Sequence, residues 1–278
     1  MGHFATLGSG SSGNGAWVET ETEGFLVDCG LEAEELTNRL RSIGRTWKTL
    51  RGVVLTHVHT DHWRDSVFGE LVVRRIPLWL HRRHSGQLNW RSEYFHLLEK
   101  NELLRFYQEN QWFAVSPRCR FLPIEVSHDS EPTFAFRIET LAGSLRAAIG
   151  YAADLGCANE RLLAALTNVD LLAVEFNHDV ELQRQSGRPW PLIRRVLSDK
   201  GHLSNAQAAA LVAQVLQRSQ HSPHYLVQLH LSEDCNEPEL AQAAIQPVLQ
   251  RHHSPIQVIT APRHHPSPLL CLKPPPGD

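Results

Sequence analysis

The stretch Thr56-His57-Val58-His59-Thr60-Asp61-His62 packs three imidazoles and a carboxylate into six residues. The apolar run Val53-Val54-Leu55 leads straight into it, and β-branched residues of this kind favour a buried strand. The pattern predicts a core strand that ends and delivers four donor groups into a loop at its tip. Alternation along an extended backbone sends His57, His59 and Asp61 to one side. His62 joins them only if the chain turns there. Imidazole nitrogens with carboxylate oxygens suit zinc, manganese or iron and poorly suit calcium, which prefers all-oxygen shells. Four donors at this spacing set aside the bland alternative, a polar surface loop that happens to be rich in His.

Outward from this loop, β-prone segments precede it and helices alternate with strands after it. Residues 3–7 and 16–20 read as strands joined by the Gly/Ser connector Gly8–Gly15, and 24–28 as a third strand. Leu36, Leu40 and Ile43 set a helix over 34–42, followed by the strand at 52–56. An amphipathic helix over 66–75 and a strand at 77–80 lead into the most basic part of the chain. There Arg74, Arg75, His81, Arg82, Arg83, His84 and Arg91 interleave with Trp79, Trp90, Tyr94 and Phe95. Such a mixture lines grooves for single-stranded nucleic acid; the alternative is a solvated helix with its aromatics turned inward. Alternating runs at 120–126, 133–139 and 145–151 predict three antiparallel strands of a second sheet. A short helix at 162–166, a buried strand at 169–174 and a polar helical excursion over 179–200 follow. Ser204 reads as the N-cap of an Ala-rich helix over 206–217. A strand at 225–229, a helix over 238–250 that starts on a Pro, and a strand at 256–260 complete the pattern. Residues 1–260 read as a single domain. Residues 261–278 hold six prolines and read as an extended tail outside the core.

The 278 residues, 42% of them hydrophobic, are enough for one large layered domain. A net charge of −3 excludes a dedicated basic DNA-binding module. It does not exclude a nucleic-acid substrate, because bound cations supply positive charge locally. Five widely spaced cysteines without a CxxC pair read as reduced thiols and speak against a cysteine-built zinc site. With no signal-peptide pattern and no membrane-length apolar run, a cytoplasmic location without membrane contact is expected, and no obligate protein partner is evident.

The quoted loop resembles the HxHxDH signature of the metallo-β-lactamase superfamily, with all four donors present. Thr6–Asn14, Ser127-His128-Asp129, Tyr151–Asp154, Glu175–Asp179, Gly201–Asn205 and His230-Leu231-Ser232 are similar to the YycJ/WalJ-type branch, in that branch's order. The resemblance implies an α/β (α+β) fold, a four-layered αββα sandwich of two mixed sheets flanked by helices. It also implies a metal-dependent hydrolase with two divalent ions, zinc or manganese. His57, His59 and His128 would serve one ion, Asp61, His62 and His230 the other, with Asp154 bridging. A water between two cations deprotonates near neutral pH and can attack phosphorus. Asp61 is thereby also counted among the catalytic residues, and His202, in a GHxS-like segment, is assigned to protonating the departing alkoxide. Substrate contacts are expected from Ser9, Ser11, Ser12 and Asn14, on a Gly-rich loop of the kind whose amides nest phosphate oxygens, and from Asn177 and His178. Glu175 or Asp129 is expected to orient metal-bound imidazoles. Two departures stand out. Asp65 replaces the Gly that many members carry three residues after the motif, and the interval 154–230 has no room for an inserted lid domain.

Four functions compete on this reading. The resemblance implies a DNA exonuclease of 5′-to-3′ direction; a small cyclic phosphodiester is the alternative substrate, mildly favoured by the charge balance. An acyl hydrolase (thioesterase, lactonase or β-lactamase) keeps the metal site but has no use for His202 or a phosphate-friendly loop. A silent, metal-stabilised module predicts a missing ligand, and none is missing.

Overall fold

The computed structural model describes residues 2–143, 145–252 and 255–272. Its chain divides into two compact units, Met1–Pro123 with Thr140–Arg146 and Pro262–Asp278, and Ile124–Glu139 with Ala147–Ala261. The architecture is mixed α/β, with two seven-stranded mixed sheets and their flanking helices, as the resemblance implies.

The first sheet lies wholly within the first unit. Its strands are β1 (Gly2–Gly8), β2 (Gly15–Glu19), β3 (Gly24–Val27), β4 (Leu50–Val54), β5 (Leu78–His81), β6 (Leu104–Tyr107) and an edge strand from near the C-terminus, Leu270–Leu272. The order runs from that edge strand through β1 to β6 in sequence. β1, β2 and β3 pair antiparallel, whereas β3 to β6 run parallel, so β4 is a central strand. Val53, Val54 and Leu55 are fully buried, as expected of a parallel strand covered on both faces. Helices α1 (Ala33–Ser42) and α2 (Asp65–Arg74) turn Leu36 and Leu40, and Val67, Phe68 and Leu71, into one apolar cluster with Leu26, Val53 and Leu78. Two short helices, α3 (Ser85–Arg91) and α4 (Phe95–Lys100), add Leu88, Phe95 and Leu98 to it.

The second sheet contains β7 (Phe113–Ser116), β8 (Cys119–Val126), β9 (Thr133–Ala142), β10 (Leu145–Ala152), β11 (Leu171–Glu175), β12 (Tyr225–Leu229) and β13 (Gln257–Thr260), in reverse sequence order from β13 to β7. Strands β10 to β13 are parallel to one another. In the second unit, helices α5 (Glu160–Leu166), α6 (Val180–Gln185), α7 (Trp190–Val196), α8 (Asn205–Arg218) and α9 (Pro238–His252) alternate with these strands. Ser204 is the N-cap of α8, and it forms a full capping box with Gln207.

Two expectations change. Strands β6 and β7 were not marked by the pattern, because both are short and half-exposed. The segment after residue 260 is not wholly outside the core. Leu270 and Leu272 are buried where the edge strand, now β14, pairs with β1, and Ser267 bonds both ways with Thr6. Prolines are compatible with an edge position, where one side of the strand needs no donor. Among the described residues no helix is long and apolar enough to cross a membrane.

Candidate metal and catalytic site

Within the first unit, β3 and β4 end side by side and each hands its chain to a polar loop. Asp28, the residue after β3, is fully buried and adopts a left-handed backbone with φ 62°. Its carboxylate accepts from the Thr56 amide (2.8 Å) and hydroxyl (2.9 Å) and lies 2.7 Å from His62 Nδ1. Thr56 Oγ1, having donated to Asp28, accepts from His57 Nδ1 at 2.9 Å. Both imidazoles are therefore held from behind through Nδ1, an arrangement in which Nε2 could coordinate a metal ion. The rings of His57 and His62 lie 4.0 Å apart and those of His57 and His59 4.8 Å, centroid to centroid. The turn that brings His62 round is closed by its own amide, which donates to the His59 carbonyl. Burial pushes the Asp28 carboxyl up, against the opposing pull of His62 and Thr56.

The Gly/Ser loop is stitched to this turn. The Asn14 amide donates to the Asp61 carbonyl (2.7 Å), and its side-chain nitrogen approaches Asp61 Oδ2 (3.1 Å) and His62 Nε2 (3.0 Å). Gly30 permits the approach, since a Cβ there would sit 1.8 Å from the Asp61 carbonyl oxygen. Asn14 is buried and orients two candidate ligands, a different part from the substrate contact expected of it. Ser9 is buried too, whereas Ser11 and Ser12 are exposed at the loop tip.

Within the second unit, β10 and β12 are also followed, two residues and one residue on, by left-handed backbones, Asp154 at φ 52° and His230 at φ 55°. Such strain concentrates where a site, not the strand, dictates the backbone. Asp154, Glu175, His202 and His230 each present a donor atom within 4.8 Å of the others'. Glu175, the last residue of β11, is fully buried and anchors the cluster. One oxygen lies 2.6 Å from His202 Nδ1 and 3.1 Å from His230 Nδ1; the other accepts from the Leu203 and Leu155 amides. Burial penalises both members of the Glu175–His202 pair. Their mutual attraction prevails, so the carboxyl is held low and the imidazole is raised above its ordinary range. Burial lowers His128, which favours its neutral imidazole. His128 Nδ1 is fixed by the Gly201 carbonyl at 2.9 Å. Asp129 lies 3.2 Å from His128 Nε2 and pairs with Arg195 at 2.9 Å.

Asn177 and His178 do not face solvent. Asn177 donates to the His230 carbonyl at 2.9 Å and so positions a candidate ligand. His178 is fully buried, and burial draws its imidazole down to about 4. Neither is placed for the substrate contact expected of it, because the sequence shows them only as polar residues after a strand. Asp28 and Thr56 escaped the sequence reading. The one visible signal was a carboxylate immediately after the apolar strand Gly24–Val27.

The donor set fits divalent metal ions on its own chemistry. His57, His62, His128 and His230 are buried and His59 half-buried, and His57, His62 and His128 are each fixed by an oxygen at Nδ1, the arrangement that presents Nε2 to a cation. A family model described as a β-lactamase superfamily domain matches residues 24–230, which include every candidate ligand. The chain belongs to the metallo-β-lactamase superfamily. Within that superfamily it falls in the YycJ/WalJ-type branch. It is 31% identical to the exodeoxyribonuclease YycJ of Bacillus anthracis over 89% of either chain. It is also 32% identical to the exodeoxyribonuclease WalJ of Streptococcus pneumoniae, over 86% of this chain and 84% of that one. Among solved structures, the metallo-β-lactamase fold protein YhfI of Bacillus subtilis superposes with a TM-score of 0.67 at 16% identity, covering 96% of this chain and 99% of that one. The chain is a metal-dependent hydrolase of this fold.

Proposed function

We propose that this hydrolase cleaves phosphodiester bonds and acts as a DNA exonuclease in the 5′-to-3′ direction. The observation that carries the reading is the contact of His202 Nδ1 with the fully buried Glu175 carboxylate at 2.6 Å, set among the candidate ligands Asp154 and His230. A proton donor held in that place suits the departure of an alkoxide, which an acyl hydrolase releasing a thiolate does not need. The names of the YycJ and WalJ relatives support DNA as the substrate.

On this reading His57, His59, His62, His128, Asp61, Asp154 and His230 hold two divalent ions, zinc or manganese. When bound, such ions supply Lewis-acid polarisation of the phosphodiester and a water of lowered pKa. The chain's own residues do the rest. Asp28 and Thr56 fix the imidazoles of His62 and His57, and Asn14 steadies Asp61. Glu175 keeps His202 protonated, and His202 Nε2 gives its proton to the leaving oxygen. Ser11 and Ser12, exposed at the loop tip, are the members of the Gly/Ser loop open to a substrate phosphate.

The test offers the manganese- or zinc-loaded protein a bis-aryl phosphate, a cyclic phosphodiester, 5′-phosphorylated DNA and a thioester. Cleavage of DNA stepwise from the 5′ end is expected, with His202→Ala losing far more activity on DNA than on the aryl ester, whose phenolate leaves without help. Preferential thioester hydrolysis, or equal loss on both phosphodiesters, overturns the reading. Preference for the cyclic ester replaces DNA with a small substrate.

A further inference from the structure

The basic stretch singled out in the sequence separates into two faces once folded. Between Leu71 and Ser92 the chain carries five arginines and no carboxylate, against a net charge of −3 overall. A 3₁₀ turn (Arg82–His84) runs directly into α3, and His81, His84, Leu88 and Ser92 turn inward. Arg82, Arg83, Gln87 and Trp90 turn outward.

Trp90 is 92% exposed, and nothing in the packing of the first unit calls for an indole there. One helical turn earlier stands Gly86, the second residue of α3, where a Cβ would meet no atom within 4 Å and the backbone is not left-handed. Helical side chains lean back over the preceding turn, so Gly86 leaves the face beside the Trp90 ring clear. Arg83 and Gln87 precede Trp90 at seven and three positions, on the same stripe. The next residue, Arg91, fastens α3 to the loop of candidate ligands: Nη1 donates to the Val58 carbonyl at 3.2 Å, and the guanidinium lies over the Trp63 ring at 5.7 Å.

We propose that the outer face of Arg82–Arg91 is a binding platform for the single-stranded part of the DNA substrate. Trp90 stacks on a base, and Arg82 and Arg83 meet the phosphates. This inference rests on the nuclease reading above. Base stacking on an aromatic is tolerant of sequence, as an exonuclease requires, and the arginines match the charge of the backbone. The platform sits one residue from the contact that holds Val58, between His57 and His59, so strand binding and the candidate metal loop share one element.

The test uses full-length, metal-loaded protein with Trp90→Ala, Trp90→Phe and Arg83→Ala. Affinity for a fluorescent 5′-phosphorylated single strand is measured by anisotropy across a salt series, alongside kcat/KM on DNA and on bis-aryl phosphate. Trp90→Ala is expected to weaken strand binding roughly 5- to 100-fold, with Trp90→Phe recovering most of the loss. The ratio of kcat/KM on DNA to that on the aryl ester falls by the same factor, through KM. Arg83→Ala is expected to reduce the slope of log affinity against log salt by about 0.7. Wild-type strand affinity in Trp90→Ala overturns the platform while leaving the nuclease reading intact. A wild-type protein that hydrolyses the aryl ester but neither binds nor cuts DNA overturns both.

Discussion

His178 offers a stability measurement whose size can be worked out in advance. Its ring is fully buried, and neither nitrogen has a hydrogen-bond partner among the described residues. Burial therefore dominates, outweighing the carboxylates of Glu175 and Asp179, and lowers the imidazole from 6.5 to about 4. The unfolded chain takes up a proton at this site as pH falls through 6.5, whereas the folded chain does not until about 4. More protons are bound in the unfolded state, so stability rises with pH across this window and is lost as pH falls. At 1.36 kcal/mol per unit the full difference is about 3 kcal/mol, of which about 2 kcal/mol is lost by about pH 5. His178→Leu fills a similar volume with a group that does not titrate. Urea unfolding of both proteins, followed by tryptophan fluorescence at saturating metal over the same pH series, isolates the site, because every other titrating group is common to the pair. The variant's acid-side decline is expected to be shallower by about 2 kcal/mol at about pH 5. Parallel stability curves would refute the reasoning, and with it the burial of an unpartnered imidazole at this position.

Other substitutions separate positioning from packing. Asp28→Asn keeps a residue that tolerates a left-handed backbone but weakens the hold on His62 and Thr56. Metal affinity, read by competition with a chromogenic chelator, is expected to fall about 10- to 100-fold, and an unchanged affinity would remove Asp28 from the site. Glu175→Gln strips the His202 imidazole of its counter-charge. Turnover on DNA is expected to fall about 10²-fold, the aryl ester is affected less, and the alkaline limb of the pH–rate profile moves to lower pH because the partner that raised His202 is gone. An unmoved limb would show that Glu175 serves the fold alone. The Arg39 guanidinium is buried, donating to the Leu7 and Arg263 carbonyls at 2.7 and 3.0 Å and pairing with Glu35. Arg39→Met strands those acceptors and is expected to cost about 2–4 kcal/mol in chemical unfolding; a loss below about 1 kcal/mol would mean that water replaces the bonds.

The elements that the sequence revealed share a strong local signal. The Ser204 box is readable because S-x-x-Q before an apolar run is a local hydrogen-bonding unit, and β4, β11 and β12 are readable because buried parallel strands are continuous apolar runs. Strands β6, β7 and β14 depend on neighbours distant in sequence and carry little periodicity of their own. The same division holds at the site. His57, His59, Asp61 and His62 declare themselves by spacing, His128, Asp154 and His230 by polar residues at strand ends, and His202 only through the family resemblance of its GHxS-like segment. Asp28 bonds to Thr56 and His62 across about thirty intervening residues, so only the folded register of β3 beside β4 discloses it. Asn14 looked like a phosphate contact because Gly/Ser loops commonly are, and the hydrogen bonds to Asp61 show a positioning part instead. The aromatics near α3 divided as neither sequence alternative foresaw: Phe95 turned inward, Trp79 stacked on Phe113 at 5.2 Å, and Trp90 stayed outside.

The central claim is that these donors hold the metal on which hydrolysis depends. Metal content by plasma mass spectrometry, measured beside phosphodiesterase turnover for the wild type, His57→Ala and Asp154→Ala, tests it most directly. The account predicts about two divalent ions per wild-type chain, a reduced content in each variant, and hydrolysis lost in both while the circular dichroism spectrum is kept. A variant that retains the full metal complement and full turnover contradicts it.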